Sequence, residues 1–460
     1  MGKLIPHVVV VPAPSQSHVM SLMTLSHNLA DHGIKVTFVN ADFIHSKLIM
    51  DPMPNKEGLK EDSQINFVSV PDGLEPEDDK RDVQKLSESI MRVMPDHLEK
   101  LIKKIQESNE YEKLTCIITD VTFWWPLQLA EKMGIRGAAF WPAGAGTLAL
   151  SLHIPKLKEA DIIDANGSLI KNEMIQLSPN IPGISTSELI WNCTTDKKMQ
   201  KAIFEAALNA NKAIKVCKWL LCNSALELEP WACELIPNIQ TIGPLRSSNW
   251  QRQPSCQFWQ EDSTCLNWLD QQPRRSVIYV AFGNLLFLNQ CQFNELALGL
   301  EYTAHPFLWV VRPDFTDGFV TKYPDGFIDR IANHGKIVSW APQHKVLAHP
   351  SIACFFTHCG WNSTLDAVTM GVPFLCWPNQ FDQFLQKNYI CDVWKVGLAL
   401  NPDKNGIVSR DEIKTKLDKL LHDEDIIANS LQLMEVATKT INEGGTSFNN
   451  FGQFVEQIMQ

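Results

Sequence analysis

The sequence has little positive charge, since its 41 lysines and arginines are outnumbered by 52 aspartates and glutamates, giving a net charge of −11 at pH 7. A protein that binds nucleic acid or another polyanion needs an excess of basic side chains on its surface. We therefore expect no nucleic-acid partner. The first residues, MGKLIPHVVVV, also lack the charged segment, long apolar segment and cleavage site of a signal peptide.

Long apolar runs and paired cysteines are missing as well. The one uncharged run that approaches transmembrane length, residues 137–154, is interrupted by Pro142, Gly144 and Gly146, which favours a buried strand, a turn and a helix. The 12 cysteines form no paired framework, and several lie inside apolar segments, as buried thiols of a reducing cytosol do. We expect a cytoplasmic monomer without a membrane-spanning segment.

The chain has enough residues for two domains, because 460 residues with 45% hydrophobic content exceed one typical α/β domain. Strand-like and helix-like segments alternate twice, which is typical of parallel sheets covered by helices. The predicted division is a first domain over residues 1–244, a polar linker over 245–263 and a second domain over 264–440. The strands predicted in the second domain are SVIYVAF, FLWVV, KIVSW, IACFF and PFLCW.

The 44 residues from Trp340 to Gln383 contain groups suited to a sugar nucleotide. After the apolar run 352–356, the sequence THCGWNST supplies Asn362, Ser363 and Thr364, residue types that cap helix N-termini, where a diphosphate is favoured. Asp366 lies on the same helix face as Ser363 and can reach ribose hydroxyls. Trp340 can stack on a base, and the acid and amide at 382 and 383 can bridge sugar hydroxyls. Each piece alone fits an ordinary helix cap with a nearby acid.

Two residues at predicted strand ends are candidates for acid–base chemistry. His18 lies between the strand ending near Val11 and a helical pattern, and Asp120 follows the strand LTCIIT. If these strands are neighbours, Asp120 can accept a hydrogen bond from one imidazole nitrogen and leave the other as a base. Alternatively, His18 is a structural or solvent-facing residue, and Asp120 caps the next helix.

Two further patterns favour other chemistries only weakly. Residues 144–149 fit the dinucleotide fingerprint G-x-G-x-x-A, but they fall well after the first strand, and Asp164 lies in a polar loop where a second strand should end. The acidic triplet Asp423-Glu424-Asp425 is most simply a solvated loop. A nicotinamide-dependent oxidoreductase is therefore an unfavoured alternative, and no metal site is predicted.

The segment 340–383 closely resembles the signature box of plant family 1 UDP-glycosyltransferases, and PDGLE, NSALELEP, CLNWLDQQP and ELALGLE extend the resemblance along the chain. The resemblance implies a GT-B fold, that is, two Rossmann-like parallel-sheet α/β domains facing across a cleft, with the C-terminal helix 441–460 packing back on the first domain. It implies His18 as catalytic base, Asp120 as its orienting acid, inversion at the anomeric carbon and no cofactor besides the donor. The donor contacts it implies are Trp340 on uracil, Gln343 on the nucleoside, His358, Asn362 and Ser363 on the phosphates, Trp361, Asp382 and Gln383 on the sugar, and Asn284, Ala341, Gly360 and Asp366 around them.

The same resemblance indicates the substrates. Glutamine at position 383, the last of the box, is usual in glucosyltransferases of the family, so the expected donor is UDP-glucose. Asp366 replaces the usual Glu, and Asn284 replaces a usual Ser or Thr. In the His18 loop, Ala13 replaces an aromatic residue and Ser17 replaces a glycine, and we hypothesise that the lost ring admits bulky acceptors.

The acceptor side offers aromatic candidates whose alternative place is the core. Phe123, Trp124 and Trp191 are plausible acceptor walls, whereas Trp125 and Phe204 are better explained as core residues. The expected reaction is transfer of glucose to a hydroxyl of a small lipophilic metabolite, a flavonoid or other phenol rather than a triterpenoid or steroid. The rival is a sugar-nucleotide-binding protein without turnover.

Overall fold

The computed structural model describes residues 5–49, 64–75, 77–79, 82–108, 112–194, 196–245, 261–283, 288–312 and 322–460. Two compact units emerge from the contacts between residues. The first comprises Met1–Ile181, Ser185–Phe258 and Lys439–Gln460, and the second comprises Pro182–Ile184 and Trp259–Thr438. The predicted linker over residues 245–263 lies mostly outside the described residues.

The first unit is built on a seven-stranded sheet in the order β3-β2-β1-β4-β5-β8-β9, and its paired strands are parallel. The strands are β1 Ile5–Val11, β2 Lys35–Ala41, β3 Ile65–Val70, β4 Glu112–Asp120, β5 Arg136–Trp141, β8 Trp219–Cys222 and β9 Ile239–Thr241, with a separate pair β6 Met174–Ile175 and β7 Ile184–Ser185. The helices are α1 Gln16–Asp31, α2 Asp42–Ile49, α3 Val83–Ser108, α4 Trp125–Lys132, α5 Ala145–Leu152, α6 Ile154–Glu159, α7 Lys197–Val216 and α8 Pro230–Glu234, joined at the end of the chain by α17 Thr446–Ile458.

The second unit contains a six-stranded parallel sheet in the order β12-β11-β10-β13-β14-β15. Its strands are β10 Val277–Ala281, β11 Phe307–Val310, β12 Gly335–Val338, β13 Ile352–Thr357, β14 Phe374–Cys376 and β15 Gly397–Ala399. The remaining helices are α9 Thr264–Leu269, α10 Gln290–Tyr302, α11 Phe327–Ile331, α12 Gln343–Leu347, α13 Trp361–Met370, α14 Gln383–Asn388, α15 Arg410–His422 and α16 Glu424–Ile441.

Apolar side chains cover both faces of the inner strand β1, as expected for a parallel sheet enclosed by helices. Val8 and Val10 pack with the residues of α1 on one face, while Val9 and Val11 pack with those of α3 on the other. In the sheet, β1 lies between β2 and β4. The loop after β1 therefore emerges beside the loop after β4.

Two local predictions are settled by these elements. The uncharged run 137–154 forms β5, a turn and α5, as predicted, and no helix in the described part of the chain is long and apolar enough to cross a membrane. The triplet Asp423-Glu424-Asp425 is not a loop, because Glu424 and Asp425 form the first turn of α16. Acidic side chains stabilise that end of a helix by opposing its dipole.

Candidate active site

His18 and Asp120 lie together at the carboxyl ends of neighbouring strands. β1 pairs with β4 in parallel, so that the first turn of α1, which contains His18, lies next to Asp120, the last residue of β4. The His18 Nδ1 atom is 2.6 Å from Asp120 Oδ2, and the carboxylate is fully buried while the imidazole is 28% exposed. Because the carboxylate accepts from Nδ1–H, Nε2 is the nitrogen that can accept a proton.

The second carboxylate oxygen of Asp120 is held by Thr122. Its backbone N–H donates to Oδ1 at 2.8 Å, and its hydroxyl donates to the same oxygen at 2.5 Å. Asp120 is not the N-cap of the next helix, because α4 begins only at Trp125. Thr122 was missed in the sequence, although an Asp followed two residues later by a donor is a known turn pattern.

The turn between β13 and α13 differs from the prediction. Asn362, Ser363 and Thr364 are not the N-cap, since the helix begins at Trp361 and Gly360 occupies the cap position. A Cβ atom at Gly360 would lie 2.5 Å from Nε2 of His358, so a residue with a side chain there would force the His358 ring to move. Asn362 and Ser363 consequently lie inside the first turn of the helix, where the dipole still favours an anion.

His358 is half-buried next to Gly360 and Gly283 and is influenced by the charge of Arg312. A Cβ at Gly283 would also approach its Nε2 atom, to 2.9 Å. Burial, followed by the positive charge of Arg312, lowers the pKa of His358 to about 4. The imidazole is thus neutral at neutral pH and can act as a hydrogen-bond donor to a phosphate. Neither Gly283 nor Arg312 was singled out in the sequence, and the predicted contact Asn284 lies outside the described residues.

Gln343 and Asp366 form one network between α12 and α13. The Gln343 amide donates to Ser363 Oγ at 3.2 Å and to Asp366 Oδ2 at 2.8 Å. His344 Nε2 lies 3.3 Å from the other carboxylate oxygen. Trp340 is half-buried and Ala341 is buried just before this network. The side chains predicted to bind the nucleoside and ribose are therefore adjacent, and His344 joins them.

The end of the box forms the start of α14. Asp382 is the N-cap residue, and the Gln383 Oε1 atom accepts hydrogen bonds from the backbone of Asn379 at 2.8 Å and of Gln380 at 3.0 Å. Only the amide NH₂ of Gln383 is then left to bind a sugar hydroxyl. The Trp361 ring is 3% exposed and packs at a tilt on Trp394, so it is not presented to a sugar, and the predicted contact would have to come from its main chain.

Comparison with known proteins decides the family. The family model for UDP-glucoronosyl and UDP-glucosyl transferases matches residues 7–187 and 184–439. The chain belongs to the UDP-glycosyltransferase family. It is 42% identical to UDP-glycosyltransferase 83A1 of Arabidopsis thaliana, over 100% of this chain and 97% of the relative, and 31% identical to linamarin synthase 1 of Manihot esculenta, over 99% and 97%.

Solved structures show the same fold. A UDP-glucosyltransferase of Polygonum tinctorium, in complex with 3,4-dichloroaniline, superposes with a TM-score of 0.83 at 26% identity, over 100% of both chains. UGT2 of Phytolacca americana, in complex with UDP-2fluoro-glucose and pterostilbene, gives 0.81 at 25% identity, over 99% of this chain and 100% of that one. The predicted GT-B class with two Rossmann-like parallel sheets is confirmed, and the protein is a UDP-glycosyltransferase.

In this UDP-glycosyltransferase, residues 144–149, which fit the dinucleotide fingerprint, bind a carboxylate of the same chain. Glu229, which is 1% exposed, accepts hydrogen bonds from the backbone of Ala145 at 2.7 Å and of Gly146 at 2.9 Å, and from Ser224 Oγ at 2.5 Å. These N–H groups begin α5, where a pyrophosphate would have to bind. Because Glu229 occupies that place, the nicotinamide alternative is wrong.

The predicted acceptor residues of the transferase fall into three environments. Trp191 is fully buried, donates its indole N–H to Gly167 O and packs edge-on against Phe204, which is a core environment. Ala13 and Phe123 belong to the core cluster beneath the loop after β1, and both keep a little exposed surface. Trp124 is half-buried, and Ser17 is exposed in the first turn of α1. Trp125 and Phe204 are core residues, as expected.

Proposed function

We propose that this UDP-glycosyltransferase transfers glucose from UDP-glucose to a hydroxyl group of a small lipophilic plant metabolite. His18 is the general base and Asp120 orients it. The observation that carries the proposal is the 2.6 Å contact between a partly exposed imidazole and a fully buried carboxylate at adjoining strand ends. Such a pair is how a histidine is held in the tautomer that accepts a proton.

The reaction is an inverting displacement at the anomeric carbon. The acceptor oxygen attacks as His18 Nε2 removes its proton, and Asp120 stabilises the imidazolium that forms. The bond from the anomeric carbon to the diphosphate breaks, and the negative charge that develops there is met by the N-terminus of α13 and by a hydrogen bond from neutral His358. No step of this scheme requires a metal ion. The unit that contains His18 binds the acceptor, and the unit that contains α13 binds the donor.

The donor sugar is glucose, held by the Asp382 carboxylate and the Gln383 amide. The solved UGT2 complex of Phytolacca americana contains UDP-2fluoro-glucose, and a relative from Gardenia jasminoides, 30% identical, is a 7-deoxyloganetin glucosyltransferase. For the acceptor we favour a flavonoid or other phenol over a triterpenoid or steroid. Pterostilbene in the UGT2 complex supports a phenol.

The test incubates the protein with UDP-glucose or UDP-galactose and a panel of flavonols, simple phenols, triterpenoid alcohols and steroids. Mass spectrometry should detect hexose addition to a phenol, with UDP-glucose the preferred donor. Binding of UDP-glucose without a product from any acceptor would identify a sugar-nucleotide-binding protein instead. A galactose product in excess would contradict the assignment of the donor sugar.

His18→Ala separates the base from the donor site. It should lower transfer by about 10²- to 10⁴-fold, the usual contribution of a general base, while UDP affinity measured by calorimetry stays nearly unchanged. The matched control is His32→Ala, because His32 is exposed at the other end of the same helix, where it contacts Asn28 O and the ring of Phe451 rather than Asp120. Substantial turnover in His18→Ala with ordinary alcohols would overturn the role of His18 as base.

A further inference from the structure

Asp120 is fixed by donors on both of its oxygens, and one residue supplies two of them. Thr122 donates its backbone N–H and its hydroxyl to Oδ1, at 2.8 and 2.5 Å, while His18 contacts Oδ2 at 2.6 Å. A hydroxyl 2.5 Å from a carboxylate oxygen is at the short end of charge-assisted hydrogen bonds, which are roughly twice as strong as neutral ones. Together these bonds define which oxygen faces the imidazole.

Thr122 is in turn held by helix α7. The Asn209 side chain donates to the carbonyl oxygen of Thr122 at 3.2 Å, and Lys212 Nζ, one turn further along the helix, lies 5.0 Å from the centre of the Trp124 ring. The loop after β4 is thus tied to α7 on one side and to the buried carboxylate on the other. Its Thr122 hydroxyl is preorganised toward Asp120 rather than free to rotate.

We propose that Thr122 is a positioning residue for glycosyl transfer, and that its hydroxyl, acting through Asp120, sets the orientation of His18 and the proton affinity of its ring. This inference rests on the proposed function, since it takes His18 to be the base. The hydroxyl draws negative charge toward Oδ1 and so limits how strongly the carboxylate favours the imidazolium. A weaker attraction favours the neutral imidazole, which is the form that can accept a proton from the acceptor hydroxyl.

Charged groups lie beside this network on two elements, β4 and α7. Asp120 faces His18 from β4, and Lys212 contributes a positive charge from α7 over the Trp124 ring. Substitution at 122 changes neither group. Since the Thr122 backbone N–H remains in any variant, the carboxylate should stay near His18 when only the hydroxyl is removed.

The experiment compares wild type, Thr122→Val and Thr122→Ser in the full chain. Valine removes the hydroxyl at nearly constant shape, whereas serine keeps it. The titration of the His18 ring is followed by NMR with ¹³C-labelled histidine, and its signal is assigned by its loss in His18→Gln. This measurement requires no acceptor. Glucose transfer is measured from about pH 5 to pH 9 with the phenol that wild type accepts best, and UDP affinity is measured by calorimetry.

For Thr122→Val we expect the His18 midpoint to rise by about half a pH unit, because the carboxylate loses a donor and attracts the imidazolium more strongly. The acid limb of the pH–rate profile should move up with it. We expect kcat at pH 7 to fall about 3- to 10-fold, of which the smaller unprotonated fraction accounts for at most about threefold and the less fixed orientation of the ring for the rest. UDP affinity should not change. Thr122→Ser should be within about twofold of wild type in rate, with the same midpoint.

An unchanged or lowered His18 midpoint in Thr122→Val would overturn the inference, as would a Thr122→Ser variant equal to Thr122→Val. If Thr122→Val does not fold, Thr122→Ala removes the same hydroxyl from a smaller side chain and is read by the same midpoint. Failure of the proposed function gives a different result: wild type then forms no glucoside with any acceptor, while the NMR titration still reports whether Thr122 controls His18.

Discussion

At the scale of single residues, Gln383 has two separable tasks. Its carbonyl oxygen accepts hydrogen bonds from the backbone of Asn379 and Gln380, which holds the turn before α14. Its NH₂ group is the part that can donate to a glucose hydroxyl. A substitution that keeps the acceptor and removes the donor can therefore distinguish loop support from sugar binding.

Gln383→Glu should retain the turn but weaken binding of the sugar. A carboxylate still accepts both backbone hydrogen bonds, whereas loss of the donor leaves a sugar hydroxyl unpaired, at about 1–3 kcal/mol. We expect UDP-glucose affinity to fall about tenfold relative to UDP affinity in calorimetry. Gln383→Ala, the control, loses both tasks and should also lower the unfolding temperature. Equal loss of UDP and UDP-glucose affinity in Gln383→Glu would count against a sugar contact.

His358 gives a pH dependence of stability whose sign follows from its lowered pKa. The folded-state pKa of His358 is about 4, below the ordinary value of 6.5. Between pH 4 and pH 6.5, His358 is therefore unprotonated in the folded protein but binds a proton in the unfolded chain. The stabilisation is fully present above pH 6.5 and is lost as the pH falls toward 4. Each pH unit in that window changes the free energy of unfolding by at most about 1.4 kcal/mol.

Substituting His358 by Gln should remove this dependence. Between pH 6.5 and pH 5 we expect the free energy of unfolding of wild type to fall by about 1–2 kcal/mol relative to that of His358→Gln. It is measured by denaturant unfolding, on the unfolding transition that added UDP moves to higher denaturant in wild type. His422→Gln is the control, because His422 is exposed at the end of α15 and contacts Asp418 O of its own helix. A constant difference in stability between wild type and His358→Gln across this range would show that His358 titrates normally.

The sequence was informative about residues whose role follows from their position along the chain. His18 and Asp120 are placed by strand ends, and parallel pairing of β1 with β4 brings them together. Thr122 and Arg312 matter through contacts or charges in space that no periodic pattern encodes. The roles proposed for the predicted site residues remain predictions until they are tested by substitution.

At the scale of elements, runs of apolar residues predicted the strands of the second unit, whereas residue types that favour capping did not predict the start of α13. The five strand patterns of the second unit correspond to β10 to β14, because runs of enclosed apolar residues are their signal. β15 was missed because it has only three residues, Gly397–Ala399. The cap of α13 was misplaced because Gly360, where a side chain would crowd His358, occupies the cap position in place of Asn or Ser.

The buried carboxylate of Glu229, which binds the N-terminus of α5, gives a prediction about stability. Glu229→Gln keeps the size of the side chain but replaces one acceptor oxygen with an NH₂ group that faces the backbone donors of Ala145 and Gly146. We expect a loss of about 2–4 kcal/mol in the free energy of unfolding, because buried charge-assisted hydrogen bonds are broken and donors are left unpaired. Urea denaturation measures it. Glu234→Gln, at an exposed site nearby, should have no effect, and an equally stable Glu229→Gln would contradict the role of the carboxylate.

At the scale of the whole molecule, the order of the chain does not follow the order of the compact units. Residues 182–184 group with the second unit, whereas residues 439–460 group with the first. The last helix, α17, contributes Phe454, Val455 and Ile458 to the core cluster that also contains Trp219. Arg136 donates to the carbonyl oxygens of Gln457 and Ile458 at 2.7 and 3.2 Å, and so caps the helix C-terminus. Composition and periodicity alone predict a helix there, but not the unit on which it packs.

The contribution of this helix can be measured with two phenylalanines that it carries. Phe454 is fully buried and packs edge-on against Trp219, whereas Phe448, on the same helix, is 47% exposed. Phe454→Ala should lower the free energy of unfolding by about 3–5 kcal/mol through lost burial and the cavity left behind. Phe448→Ala should change it by less than about 0.5 kcal/mol. Both are measured by denaturant unfolding, with UDP affinity as a check that the donor site is intact. Similar stabilities of the two variants would mean that α17 adds little to the core of the first unit, whereas loss of UDP binding in Phe454→Ala alone would show that the donor site depends on this helix.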